Sequence, residues 1–112
     1  MLKKLLIAIF ITSMPAYAGG WTKTASVIDI EIIRAQGFQI RGEFGNPSEC
    51  SNANSIFVAV DHPQYEHILA VAMTAFMGNK KLQAYSHKCV EYGWHGGSFN
   101  QLTGAGSLYL KN

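Results

Sequence analysis

Residues 50–89 read CSNANSIFVAVDHPQYEHILAVAMTAFMGNKKLQAYSHKC, and this stretch decides the fold because it places a strand, a helix and a second strand between two cysteines. Its first part, Ile56–Val60, is an unbroken apolar run rich in β-branched and aromatic residues, which predicts a central strand. Its last part, Leu82–His87, predicts a further strand that ends just before the second cysteine. A strand, helix and strand unit is therefore expected in the middle of the chain.

The helix of this unit is predicted over about Pro63–Met77. Proline suits the first helical position, where its missing N–H would be unpaired in any case. Asp61 or His62 can cap this end, and Gly78-Asn79 stops the other. At about 100° per residue, one side of the helix is apolar and is expected to face the core. That side contains Tyr65, Ile68, Leu69, Ala72, Ala75 and Phe76.

The opposite side of the predicted helix is only half polar. Three apolar residues, Ala70, Val71 and Met77, lie there among polar ones. A solvated helix normally shows more charge, so these three residues are expected to form an interface in a homo-oligomer. Scattered apolar residues on the surface of a monomer are the alternative.

The two cysteines, Cys50 and Cys89, are expected to form a disulfide, since an even cysteine count in an exported domain indicates pairing. A bond closing a loop of this length would stabilise the domain by about 4 kcal/mol in the chain-entropy model. A redox or metal pair is disfavoured because the sequence has neither a CxxC spacing nor a second cysteine pair.

Two strands are predicted before this unit. Val27–Ile33 alternates, so Ile28, Ile30 and Ile32 are expected on the buried face. A turn at Ala35–Gly37 then leads to a second alternating strand, which completes a hairpin. The buried residues predicted for that second strand are Phe38, Ile40 and Phe44.

With a last strand at Ser107–Leu110, the predicted order is strand, strand, strand, helix, strand, strand. This order is typical of a small all-β or α+β domain, a five-stranded barrel like the oligomer-binding (OB) fold, with one helix and one disulfide. A plain open α+β sheet is the main alternative.

The first residues predict export. Lys3 and Lys4 precede the apolar stretch Leu5–Ile11, and Ala16-Tyr17-Ala18 is a small-x-small cleavage site, so Met1–Ala18 is interpreted as a cleavable signal peptide. The apolar run is too short to span a bilayer, and no stable membrane insertion is expected after cleavage. A retained anchor is the alternative. Residues 19–112 are then expected to form one disulfide-stapled domain, secreted or periplasmic.

The charge of this domain is balanced. The whole chain has nine basic and seven acidic residues, and removing Lys3 and Lys4 leaves seven of each (9 − 2 = 7). Beyond Lys80-Lys81 there is no basic cluster, so no nucleic-acid partner is expected. A neutral surface is compatible with an uncharged ligand or a protein partner.

The chain resembles the small secreted B-subunit-like proteins of bacterial AB5 toxins, in particular the group of the subtilase cytotoxin B subunit. The resemblance rests on the signal peptide, the cysteine positions, and Asp61-His62-Pro63-Gln64-Tyr65 leading into Ile68–Ala72 and Gly78-Asn79-Lys80-Lys81. It covers mainly residues 50–89. Members of such families bind host glycans as pentameric rings, and the resemblance implies the same possibility for this chain.

A glycine-flanked aromatic loop provides the candidate ligand site. Tyr92 and Trp94 offer flat apolar faces to a sugar ring, and His95 can hydrogen-bond hydroxyl groups. The loop between the last two strands is a common ligand loop in this fold type. The alternative is that Trp94 and Phe99 fold back to cover the open end of the barrel.

Metal and catalytic chemistry are not predicted. The four histidines, His62, His67, His87 and His95, show no HxH or HxxxH spacing, and His62 and His67 are expected to point to different sides. No nucleophile elbow, paired-carboxylate cleft or Cys–His pair is present, so neither an enzyme nor a cofactor is expected. The function expected is a binding module for a glycan or a protein. A structural or accessory subunit, or a periplasmic inhibitor, is the alternative, and a small hydrolase stays open.

Overall fold

The computed structural model describes residues 19–112. The predicted signal peptide, Met1–Ala18, lies outside this part of the chain. The described residues form a mostly-β structure with one helix, two sheets and one disulfide. Its elements are β1 (Gly20–Trp21), β2 (Ala25–Ser26), β3 (Asp29–Ile33), β4 (Gly37–Arg41), β5 (Ser55–Ala59), α1 (Tyr65–Gly78), β6 (Lys81–Ser86), β7 (Lys88–Val90), β8 (Phe99–Gln101) and β9 (Leu108–Lys111).

The first sheet is built around β6, which pairs antiparallel with β1 and β2 and also with β9. The second sheet has the order β3-β4-β5-β8-β7. Its pairs are antiparallel except for the parallel contact between β5 and β8, where Phe57 lies opposite Gln101. Segments 20–33 and 81–90 each contribute strands to both sheets.

The main core lies between the two sheets and the helix. Alternation along β4 and β5 sends one set of side chains into it, as the sequence pattern predicts. Its most deeply buried members are Phe38, Ile40, Phe44, Ile56, Val58, Ala72, Ala75, Leu82, Ala84 and Leu102. The predicted hairpin, the buried residues of its second strand and the strand at Ile56–Val60 are therefore confirmed to within a residue or two.

The prediction of a closed five-stranded barrel is not confirmed, because the strands form two sheets. Three regions for which no separate strand was predicted contain short strands: β1 and β2, β7, and β8. The predicted last strand corresponds to β9, which pairs with β6 in the first sheet rather than closing the second. These short strands lack the alternating pattern of five or more residues on which the prediction depended.

The burial predicted for the first strand is wrong at two positions. Ile28 and Ile32 are 61% and 62% exposed, Ile30 is half-buried, and Ile33 is buried. The reason is that β3 is an edge strand, and the helix covers only part of the side on which Ile30 and Ile32 lie. The other side of β3 lies under a loop, where it buries Ile33.

The helix begins two residues later than predicted, at Tyr65, so Pro63 precedes it. The imidazole of His62 accepts a hydrogen bond from the Gln64 N–H through Nδ1 at 2.9 Å, and its Nε2 lies 3.1 Å from the Thr103 carbonyl oxygen. The helix ends at Gly78 because Asn79 adopts the left-handed conformation, with φ of 57°. The His62 ring therefore connects the start of the helix to the segment after β8 by hydrogen bonds.

The burial predicted for the two faces of the helix is wrong at some positions. Phe76, expected in the core, is 49% exposed. Val71, expected on the outer face with Ala70 and Met77, is half-buried against the main core. Met77 is 74% exposed and lies with other apolar residues beside β3. We call the groove that these residues line the helix–β3 surface; it consists of Ile30, Ile32, Leu69, Met73, Phe76 and Met77.

The disulfide between Cys50 and Cys89 is confirmed, with an S–S distance of 2.05 Å. It joins the loop after β4 to β7. Asn46 fixes the same loop, because its side chain accepts the Cys50 N–H and donates to the Cys50 carbonyl, both at 2.8 Å. Asn100 of β8, fully buried, accepts the Ser48 N–H at 2.8 Å. The loop is therefore part of the folded framework.

Candidate functional site

The aromatic loop predicted as a ligand site follows β7 and lies on the second face of the five-stranded sheet. Strand side chains alternate between faces, so Ile33 of β3 and Phe57 of β5 point towards this loop rather than into the main core. Together with Tyr92 and Phe99 they form a second, smaller core, and Ala59 and Val90 pack beside it. The sheet is therefore buried on both faces at this point.

Tyr92 forms the base of the loop. Its ring stacks on Phe57 with centroids 4.0 Å apart, its hydroxyl donates a hydrogen bond to Gln39 Oε1, and the residue is only 6% exposed. Burial raises the pKa of the Tyr92 phenol, and the nearby Glu31 carboxylate raises it further. The structure places Tyr92 beneath the loop, where its ring supports the neighbouring residues.

Trp94 lies at the tip of the loop and is 66% exposed. Gly93, with φ of 58°, turns the chain outward, and its N–H donates to Gln36 Oε1 at 2.9 Å. Phe99, in contrast, is 7% exposed and belongs to the second core. Of the two residues considered as covers for the core, Phe99 has that position and Trp94 does not.

A cation accompanies the exposed indole. The guanidinium carbon of Arg34 lies 6.0 Å from the centroid of the Trp94 ring, within the range of a cation–π contact. Arg34 follows β3 directly and is exposed. Within residues 19–112 no carboxylate forms an ion pair with it. Its charge is therefore available beside the indole.

His95 connects the loop to a charged network on β3 and β4. Its Nε2 lies 3.1 Å from Glu31 Oε2, and the other oxygen of Glu31 accepts from Arg41 at 3.3 Å. Arg41 also binds Asp29, its cross-strand partner, at 2.8 Å. The His95 ring centroid lies 6.0 Å from that of Trp94. His95 thus fixes the loop and lies at the edge of the exposed indole.

The far end of the loop is held by short hydrogen bonds. The Ser98 N–H donates to Ser51 Oγ at 2.6 Å, and Asn52 Nδ2 donates to the Gly96 carbonyl at 2.9 Å. Gly97 has φ of 83°, and a Cβ there would overlap Ser51 Oγ. The loop is therefore anchored at both ends, by the second core and by the loop that contains Cys50.

The structure brings together only part of the predicted site. Trp94 and His95 lie side by side at the surface, while Tyr92 lies below them. Sequence reasoning missed Arg34 and Glu31, which stand far earlier in the chain. The only local signal was their place on or next to the alternating first strand, and that pattern does not indicate which distant loop packs on it.

The histidine positions differ from expectation in one respect. His62 and His67 were expected to point to different sides, but both line one cleft of about 450 Å³ between the helix and the segment before β9. In residues 19–112 no three His, Cys, Asp or Glu side chains come close enough together to hold a metal ion. The two histidines therefore share a cleft without a third ligand.

In the described part of the chain, no helix combines the length and the apolar character needed to cross a membrane. Comparison of the chain with protein-family models, with curated proteins and with solved structures gave no match in any of the three. Its function therefore has to be inferred from the geometry of the chain.

Proposed function

We propose that this protein is an exported binding module that recognises a glycan through the surface around Trp94, Arg34 and His95. The observation that supports it best is the exposure of Trp94 above a buried loop base. A residue needed only for packing would be buried, as Tyr92 and Phe99 are.

The composition of this surface suits a sugar. An exposed indole offers an apolar face to the C–H groups of a pyranose ring, and its hydrophobic area is removed from water when the ring covers it. Arg34 and His95 supply hydrogen-bonding groups at the edge of the indole for hydroxyl or acid substituents. Because the loop is already ordered, little conformational entropy would be lost on binding.

We also propose that the two sheets correspond to an opened OB-like barrel. The support is the strand pairing: segment 20–33 pairs with both β6 and β4, and segment 81–90 pairs with both β1 and β8. Within the five-stranded sheet, the parallel contact of β5 with β8 joins the β3-β4-β5 meander to the β8-β7 pair. The relation to AB5 toxin B subunits stays a hypothesis, and it predicts a ring of copies.

A protein partner is the second candidate. The observation that favours it is the helix–β3 surface, where Met73, Phe76, Met77 and Ile32 are each about half exposed or more. Contiguous apolar side chains of this kind often mark interaction sites. An accessory subunit or periplasmic inhibitor would use this surface and need no small ligand.

A glycan array tests the main proposal, using oxidised residues 19–112 and the variants Trp94→Ala and Phe76→Ala. Phe76 is the control, since it is a partly exposed aromatic residue on the helix, outside the surface around Trp94. We expect at least one hit that disappears in W94A and persists in F76A, with both variants folded by circular dichroism. Arg34→Ala should weaken binding of the same glycan.

The second readout is the fluorescence of Trp94 alone, measured in Trp21→Phe. A glycan that binds on the array should shift or quench the emission of Trp94. An empty array together with unchanged Trp94 emission would contradict the proposal. Retention of every hit in W94A would also contradict it and would move the binding site elsewhere on the molecule.

A further inference from the structure

Three aromatic residues meet on the outer face of the first sheet. Trp21 lies directly opposite Tyr85 across β1 and β6, and Tyr109 lies opposite Gln83 across β9 and β6. Side chains two positions apart on a strand share a face, so Tyr85 and Gln83 point the same way. The alternate residues of β6, which are Leu82, Ala84 and Ser86, are buried on the other face. The aromatic face is therefore the solvent side.

Trp21 contacts both of the other rings. Trp21 stacks on Tyr109 with centroids 5.4 Å apart and planes at 28°, and Tyr85 meets Trp21 edge-on at 5.2 Å. Trp21 is 46% and Tyr109 50% exposed, so about half of this stacked pair is open to solvent. The rings orient one another without being covered, so the open side of the Trp21–Tyr109 pair forms an apolar platform.

Positive charge lies beside this platform. Lys81 and Lys111 are direct cross-strand partners and share the face of Gln83 and Tyr109. Like charges directly opposite each other are destabilising, so fold stability does not explain this pair. Lys111 Nζ donates to Gln83 Oε1 at 2.8 Å and lies 5.2 Å from the Tyr109 ring centroid. The outward positions of the sheet contain no Asp or Glu; they are Trp21, Ser26, Lys81, Gln83, Tyr85, Tyr109 and Lys111.

We propose that this surface, which we call the Trp21 face, is a second saccharide site that takes a chain with acidic groups. A pyranose ring would pack against the open side of the Trp21–Tyr109 pair, and a carboxylate or sulfate group on the chain would pair with Lys81 and Lys111. Gln83 and the tyrosine hydroxyls offer hydrogen bonds to ring substituents.

A saccharide fits better than a nucleic acid for an electrostatic reason. Binding of a polyphosphate depends on many cationic contacts, whereas this face offers two lysines on a domain with seven basic and seven acidic residues (9 − 2 against 7). Two lysines match one or two acidic groups on a sugar chain. The Trp21 face also belongs to the first sheet, whereas the Trp94 loop packs on the second, so the two sites are separate.

The test uses residues 19–112 carrying Trp94→Phe, in which Trp21 is the remaining tryptophan. Its emission is followed during titration with oligogalacturonate, a heparin oligosaccharide, neutral maltohexaose and single-stranded oligothymidylate. We expect at least one acidic sugar to quench Trp21 and to bind more tightly than maltohexaose. Tyr109→Ala should lower the affinity for that sugar about tenfold, a loss comparable to that of one stacking contact.

Two further variants separate the roles of the residues. Lys81→Ala with Lys111→Ala should remove the preference for the acidic sugar. Phe76→Ala, a partly exposed aromatic on the helix, is the control and should leave binding unchanged. Because Trp94 is absent throughout, failure of the Trp94 proposal does not affect this test.

Three results would overturn the inference. The first is unchanged Trp21 emission with both acidic sugars in a folded W94F protein. The second is binding that Y109A does not weaken. The third is tighter binding of oligothymidylate than of either acidic sugar, which would make the face a site for single-stranded nucleic acid.

Discussion

Tyr92 lies face to face with Phe57, with ring centroids 4.0 Å apart and planes that differ by 13°. Phe57 belongs to β5, whose neighbouring residues Ile56 and Val58 point into the main core. Strand β5 is therefore buried on both faces, by the main core on one side and by the Tyr92 loop on the other. This explains why residues 56–59 form an unbroken apolar run in an otherwise alternating sheet.

The buried phenol of Tyr92 predicts a loss of stability at alkaline pH. Its folded-state pKa is raised by burial and by Glu31, so the stabilising contribution is complete below the ordinary phenol pKa of about 10 and declines above it. We expect the free energy of unfolding to fall by up to about 1.4 kcal/mol per pH unit above that point. Urea unfolding of wild type and Tyr92→Phe at pH 8 to 11 measures the difference.

The variant Y92F is the control for this effect. It should lose the alkaline slope that Tyr92 contributes, and at pH 8 it should be less stable by about 1–3 kcal/mol because Gln39 Oε1 loses its buried donor. The prediction is wrong if wild type and Y92F show the same pH dependence. An ultraviolet difference titration of the two proteins reports the ionisation of Tyr92 directly.

The disulfide predicts a large response to reduction. Replacing both Cys50 and Cys89 by serine should lower the free energy of unfolding by about 2–5 kcal/mol, because a loop of 39 residues is then unconstrained in the unfolded chain. Thermal unfolding of the oxidised, reduced and double-serine proteins gives the measurement. A double-serine variant as stable as the oxidised protein would contradict the prediction.

Gly37 and Gly96 provide a matched pair of positions for testing how much an added Cβ changes stability. Gly37 has φ of 151°, and a Cβ there would overlap the Val58 carbonyl oxygen on the paired strand. Gly37→Ala should therefore lower the free energy of unfolding by more than about 3 kcal/mol. A Cβ at Gly96 would meet no atom within 4 Å, so Gly96→Ala should change stability by less than about 0.5 kcal/mol. Chemical denaturation of the two variants checks both values. Equal costs would contradict the register that pairs Gly37 with Ala59 across β4 and β5.

The helix–β3 surface predicts self-association. We expect the oxidised domain to have a mass above that of a monomer at high micromolar concentration, because Phe76 and Met77 leave apolar area uncovered. Phe76→Glu with Met77→Glu should shift it to the monomer, whereas His67→Glu, exposed on another side of the helix, should not. Light scattering gives the masses, and a wild-type monomer would contradict the prediction.

The candidate site could be predicted only in part. The cluster of aromatic and glycine residues around Trp94 indicated the loop, but the alternation of β3 did not reveal that Glu31 would hold His95 or that Arg34 would reach the indole. Trp21, Tyr85 and Tyr109 were missed altogether, because no local pattern joins residues from three separate strands. Such contacts depend on pairing between strands that are distant in the chain, which periodicity does not encode.

The sequence alone determined the elements that depend on neighbouring residues: the hairpin, the strand at Ile56–Val60, and the helix with its stop at Gly78-Asn79. The pairing of Cys50 with Cys89 followed from the cysteine count. The tertiary structure decided which faces are covered. Burial depends on what packs against a strand or helix, so β3 leaves Ile28 and Ile32 in solvent while β5 is covered on both sides. For the same reason, Tyr92 lies in a core and Trp94, two residues later, lies outside it.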